Sequence, residues 1–117
     1  MPLNVKRVYE APSQTDGMRI LVDRLWPRGL AREKAKVDEW MKEIAPSDDL
    51  RRWFHSHPEK WGDFRRKYRR ELHSSEKLEY LRQLESLRRR TNITLLYGSK
   101  DETHNNAVIV AMELKRR

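Results

Sequence analysis

Residues 93–110 read ITLLYGSKDETHNNAVIV, and three kinds of chain follow one another within them. ITLLY (93–97) is apolar and partly β-branched, the composition of a strand buried in a sheet. GSKDETHNN (98–106) is a polar loop. Beyond it Ala107, Val110, Ala111 and Leu114 recur at helical spacing, and Val108, Ile109 and Met112 widen the apolar arc. A helix beginning near His104, well buried along its length, is the expectation.

An earlier stretch repeats this order. MRILV (18–22) reads as a compact strand and runs into DRLWPRGL (23–30). Pro27 cannot donate a ladder hydrogen bond and biases Trp26 to an extended conformation, while Gly29 can take a positive φ. The strand therefore ends near Asp23 and the chain turns. Upstream, Val5, Arg7 and Tyr9 alternate with Lys6 and Val8 in a strand-like run, closed by the turn-rich APSQTDG (11–17).

Between the two strand–loop units the periodicity is helical. Val37, Trp40, Met41 and Ile44 fall at i, i+3, i+4 and i+7, which predicts a helix over 33–43. Pro46 ends it, Ser47 is placed to cap the next helix, and Asp48 and Asp49 suit that helix's positive end. The second helix carries Leu50, Trp53 and Phe54, with Pro58 as the expected first residue of a third. Trp61, Phe64, Tyr68 and Leu72 mark the third, and Ser74 or Ser75 caps a fourth with Leu78, Leu81, Leu84 and Leu87. Arg88, Arg89 and Arg90 stand at its C-terminus, where the dipole favours cations. The order of elements predicts a single α/β domain over 1–117, a small mainly parallel sheet with about five surrounding helices.

Composition narrows the chemistry. The 117 residues include no Cys, so disulfides, thiolate metal sites and cysteine nucleophiles are excluded. The N-terminus MPLNVKRVYE is too charged for a signal peptide, and no apolar run nears the roughly 20 residues that span a bilayer. A cytoplasmic protein with no membrane partner is the expectation. Four Trp, four Tyr and periodic apolar positions argue for a folded domain despite a net charge of +8.

If the two strands are parallel neighbours, both loops leave the sheet at its carboxyl edge, where open α/β sheets bind ligands. Asp23, Arg24, Trp26 and Arg28 would then face Lys100, Asp101, His104 and Asn105. Three cations beside a helix N-terminus suit a phosphate, sulfate or carboxylate group on a small molecule. Asp101 and His104 are the candidate proton carriers, and the rest of the set would hold the ligand. A purely structural reading stands beside this one. In it Asp23 pairs with Arg24, Trp26–Pro27 plugs the sheet end, and Asp101 or Thr103 caps the last helix.

A second candidate is the basic segment 51–70, where eight cations face only Glu59 and Asp63, a net of six positive charges. Arg65, Arg66, Arg69 and Arg70 would supply phosphate-backbone contacts to a nucleic acid. The interleaved Trp53, Phe54, Trp61 and Tyr68 lie on the apolar stripe, however, and a solvated helix face accounts for the same pattern. A structural module that dimerises through an apolar edge is the third reading. His55 and His57 bracket one serine without an HExxH or Cys partner, so no metal site is assigned; no GxGxxG, GxxxxGK(S/T) or GxSxG pattern occurs, and the sequence leaves the cofactor unknown. His73 reads as a surface residue, and Ser99 is only a hydroxyl near His104.

Five segments carry a family resemblance: KRVYEAP (6–12), RILVDRLWPRGL (19–30), WMKEIAPSDDLRRWF (40–54), PEKWGDFRRKYRREL (58–72) and TLLYGSKDETHNNAVIV (94–110). With them the sequence resembles the YeaO-like branch of the domain-of-unknown-function 488 family over nearly its whole length. The resemblance implies a compact intracellular α/β domain of prokaryotic type and no assigned activity. Longer relatives carry a Cys-His-Arg triplet after the final strand. This chain has His104-Asn105-Asn106 in that region, so thiol chemistry does not transfer.

Overall fold

Ile20 sits at the centre of a parallel sheet, opposite Leu95 on one side and Glu39 on the other. In the computed structural model, which describes residues 2–117, four strands make up this sheet: β1 (Leu3–Arg7), β2 (Met18–Leu21), β3 (Glu39–Trp40) and β4 (Ile93–Tyr97). Their order is β1-β4-β2-β3 and every pairing is parallel. Five α-helices complete the fold: α1 (Arg32–Ala35), α2 (Asp48–Ser56), α3 (Trp61–Leu72), α4 (Ser75–Arg90) and α5 (Asn106–Arg116). The chain is a small α/β domain, and β2 and β4 are neighbours as the shared strand–loop pattern requires.

The period-two pleat divides the strand residues between two apolar layers. Ile20, Ile93, Leu95 and Tyr97 pack with the inward stripes of α2 to α5, including Leu50, Phe64, Tyr68, Leu81, Ile109 and Leu114. Leu21 and Leu96 face the other way and are covered by Val8, Trp26, Leu30, Ala35 and Trp40. That second layer also holds ions. Asp16 accepts from Arg19 at 2.6 Å and from Lys6 at 3.1 Å, and Arg19 donates onward to the Ala35 and Lys36 carbonyls. Burial pushes the Asp16 carboxyl up, but the Ser13 amide, Lys6 and Arg19 outweigh it and hold it below its ordinary value.

The helix expected over 33–43 is not formed. Only one turn, Arg32–Ala35, is α-helical, Lys36 closes it in the left-handed region at φ 48°, and a 3-10 turn at Lys42–Ile44 follows the strand. Between the two turns the chain extends along β2, with the Asp38 amide donating to Arg19 O and the Met41 amide to Leu21 O, each at 2.8 Å. The reason is visible in the packing. Val37 and Trp40 join the layer around Leu21, whereas Met41 and Ile44 join the layer on the opposite face. Four apolar residues at helical spacing thus serve two cores, which a strand edge can do and one helix stripe cannot.

Other boundaries moved less. Ser47 and Ser74 cap α2 and α4, their hydroxyls accepting from the Leu50 and Lys77 amides. Pro58 lies in the turn before α3, which is entered from Lys60. The last helix is capped by Asn105, whose side chain accepts from the Val108 amide at 3.0 Å. Among the described residues no helix is long and apolar enough to cross a membrane.

Candidate functional site

The carboxyl ends of β2, β3 and β4 open into one cavity of about 620 Å³. Three segments deliver its walls. Asp23, Arg24 and Leu25 follow β2, and Ser99, Asp101, His104, Asn105 and Asn106 follow β4. Between β3 and α3 the chain adds Ala45, Pro46, Arg51, Phe54, His55 and Pro58, and Phe64 of α3 forms the back.

Asp23 joins the two expected loops directly. Its Oδ2 accepts from the Gly98 amide at 2.7 Å, and Asn106 beside it donates to Val22 O at 2.7 Å. Burial raises the Asp23 carboxyl above its ordinary value, against the lowering effect of the Gly98 amide and Asn106. Asp23 makes no ion pair among the described residues, with Arg24 or any other cation. Arg24 turns instead to the Pro46 carbonyl, which accepts from its Nε at 3.4 Å and its Nη2 at 3.3 Å.

Arg51 reaches the cavity from α2. Its Nη2 donates to Asp48 Oδ1 at 2.7 Å, while its Nε–H is buried without any acceptor. Asp48 also accepts from Arg52 at 2.9 Å. The Arg51 hydrogen bond, with the charges of Arg52, Arg51 and Arg24, holds the Asp48 carboxyl below its usual range. Asp48 therefore pairs with two guanidiniums, of which Arg51 lines the cavity, while Arg24 acts on it only at longer range.

This wall is braced from behind. Glu71 of α3 takes the Ser47 amide at 2.8 Å and the Ser47 hydroxyl at 2.6 Å. Tyr68 donates to Ile44 O at 2.6 Å, and Lys77 to the Glu43 and Ala45 carbonyls at 2.9 and 2.6 Å. The segment 43–47 carries its backbone partners into α3 and α4, so the mouth of the cavity is fixed by the helical layer.

The β4 loop is organised by its own acid. Asp101 Oδ1 accepts from the His104 amide at 2.9 Å and from the amide and hydroxyl of Thr103, both at 3.0 Å. The His104 and Thr103 amides hold its carboxyl below the ordinary value. The His104 ring lies over Trp61, centroids 4.7 Å apart, with Nδ1 3.4 Å from Asp101 Oδ2.

Of the eight residues the sequence nominated, Asp23, Arg24, Asp101, His104 and Asn105 line the cavity. Trp26, Arg28 and Lys100 do not. The Trp26 indole donates to Leu30 O at 2.7 Å, lies edge-on to Trp40 and carries the Arg32 guanidinium 4.5 Å from its centroid. Arg28 is exposed and offers its carbonyl to the Tyr9 hydroxyl at 2.7 Å. Lys100 is exposed on the β4 loop. The sequence missed Arg51, Phe54, His55 and Asn106. Reading 33–43 as a helix hid the third strand, and with it the fact that the chain entering α2 leaves the same sheet edge.

The basic helical surface is partly committed. Arg69 donates to Glu113 Oε2 at 2.7 Å, and Arg66 pairs with Asp63. Arg65 and Arg70 make no ion pair among the described residues. No cluster of three or more metal-ligating side chains occurs among those residues.

Comparison with known proteins places this architecture. Residues 2–117 match the family model described as the inactive DUF488-N3 subclade. The chain belongs to that DUF488 family. It is 42% identical over 111 residues to the uncharacterized protein YeaO of Escherichia coli K12, spanning 95% of each chain. It is 37% identical over 115 residues to the uncharacterized protein Rv3073c of Mycobacterium tuberculosis H37Rv, spanning 98% of this chain and 95% of the relative. No solved structure matches the chain.

Proposed function

We propose that this chain is a small-molecule-binding domain whose cavity holds an anionic group without transforming it. The observation that carries the reading is the pair Arg24 and Arg51, two guanidiniums lining one cavity, of which only Arg51 is paired with an acid, Asp48. Guanidinium groups favour phosphate, sulfate and carboxylate because paired N–H donors match paired oxygens. The buried Arg51 Nε–H, which lacks an acceptor, is the donor an anion would satisfy. The apolar walls supplied by Leu25, Phe54 and Phe64 suit a ligand with a hydrophobic body.

Catalysis by Asp101 and His104 is the less supported version of the same site. Asp101 spends one oxygen on three donors of its own loop and is a weakened base. The description of the subclade as inactive agrees with binding alone.

The test is a thermal-shift series with phosphate, sulfate and a short aryl carboxylate on the parent and on Arg24→Ala and Arg51→Ala. The reading expects a rise in Tm for the parent that both variants lose. Equal shifts in parent and variants would remove the cavity as the site. A nucleic-acid role for the α3 surface is the second reading, favoured by the unpaired Arg65 and Arg70. It expects duplex binding that weakens steeply with salt, and no binding at low ionic strength would end it.

A further inference from the structure

Two opposite charges line the cavity without neutralising one another. Asp23 receives the Gly98 amide and no cation, and Arg24, its neighbour in sequence, points to Pro46 O. A half-buried carboxylate is stabilised by a counter-charge or further donors, because an ionised group partly removed from water loses hydration. Arg51 shows the complementary deficit, a buried Nε–H with no acceptor. One wall therefore holds an acid without a cation, and another holds a guanidinium N–H without an acceptor. Phe54 and Phe64, stacked with centroids 4.2 Å apart, line the same space.

We infer that the ligand is an amino acid with an apolar or aromatic side chain, its ammonium on Asp23, its carboxylate on Arg24 and Arg51, and its side chain against Phe54 and Phe64. An ammonium supplies three donors and a charge to a carboxylate that has no cation, and a carboxylate supplies acceptors to the free Arg51 Nε–H and to Arg24, which has no acid of its own. A simple anion answers only half of this wall chemistry and leaves the half-buried Asp23 beside added negative charge. A simple amine leaves the guanidiniums unanswered. The inference rests on the anion-binding reading and adds the ammonium to it.

Calorimetric titration of the intact chain separates the two. The probes are L-phenylalanine, 3-phenylpropanoate (which lacks the ammonium) and 2-phenylethylamine (which lacks the carboxylate). L-Phenylalanine should bind at least ten times more tightly than either single-charge probe. Asp23→Asn should erase the advantage over 3-phenylpropanoate while leaving 3-phenylpropanoate binding within about twofold. Binding of 3-phenylpropanoate as tight as that of L-phenylalanine to the parent overturns the ammonium site and leaves the anion site standing. Failure of all three probes, and of phosphate and sulfate, overturns both. The parent comparison needs no variant, so a misfolded Asp23→Asn protein would not rescue the inference.

Discussion

The Asp23 carboxylate and the Gly98 amide meet at 2.7 Å, joining the chain that leaves β2 to the chain that leaves β4. The approach is close, since a Cβ on Gly98 would stand 3.2 Å from Asp23 Oδ2, tighter than side chains ordinarily pack. Gly98→Ala should therefore shift the carboxylate by a few tenths of an ångström and cost about 1 kcal/mol, in the range for mild overpacking. Chemical denaturation would show a lowered midpoint with an unchanged slope. A variant as stable as the parent would mean that the loops tolerate separation.

Asp23 also sets a pH signature. Its folded-state pKa lies above its unfolded value, so its ionisation opposes folding. The penalty is absent below about pH 4 and develops as pH rises from there through the raised folded value. Asp16, Asp48 and Asp101 run the other way, with lowered folded values whose stabilisation is present above the unfolded value and lost as pH falls through the folded one. Asp23→Asn keeps an oxygen for the Gly98 amide and removes the charge. It should match the parent at pH 3 and exceed it at pH 7 by a few degrees in Tm, about the shift that 1 kcal/mol gives a domain of this size. A difference independent of pH would mean that Asp23 is not desolvated.

Much of this geometry was legible in the sequence because it follows from strand–loop grammar. ITLLY and MRILV are short, largely apolar and rich in branched side chains, as strands inside a sheet are, and parallel neighbours must release their loops at one edge. What escaped was decided by tertiary packing. Trp40 and Met41 are adjacent, and the pleat sends them to opposite layers, an arrangement that mimics a helical stripe when read in one dimension. DRLWPRGL hides a similar division. Arg24 and Arg28 stand four residues apart, but the turn through Pro27 and Gly29, at φ 74°, puts one in the cavity and the other outside it. The Asp23–Arg24 pair that local reading offered does not form, because each side chain has a backbone partner elsewhere.

Gly17 gives a sharper backbone test. It holds φ 65°, and a Cβ there would lie 2.3 Å from the Asn92 carbonyl oxygen, which itself accepts from the Met18 amide at 2.9 Å. Relief by a side-chain swing is impossible because the obstacle is backbone at the entry to β4. Gly17→Ala should cost about 2–4 kcal/mol, a left-handed penalty added to overpacking. A loss under about 1 kcal/mol by denaturant titration would contradict so close an approach.

Glu71 connects stability to the cavity. Its two oxygens hold the Ser47 amide and hydroxyl, while Ser47 Oγ in turn accepts the Leu50 amide at 3.2 Å and starts α2. Arg51, Phe54 and His55 all ride on that helix into the cavity. Glu71→Gln retains an acceptor oxygen but loses the charge and presents an N–H₂ where the second acceptor stood. The Ser47 hydroxyl then loses its strongest partner, and the loss should be about 1–2 kcal/mol, as for a charged hydrogen bond at a cap. Binding should suffer as well, because Arg51 is positioned only through α2. The expected result is a lowered Tm together with a several-fold weaker response to the aryl carboxylate. The Glu71→Gln protein should still saturate at high probe concentration, since the guanidiniums themselves are intact. A lowered Tm with undiminished affinity would show that the start of α2 can fray without moving Arg51, and would uncouple the brace from the site.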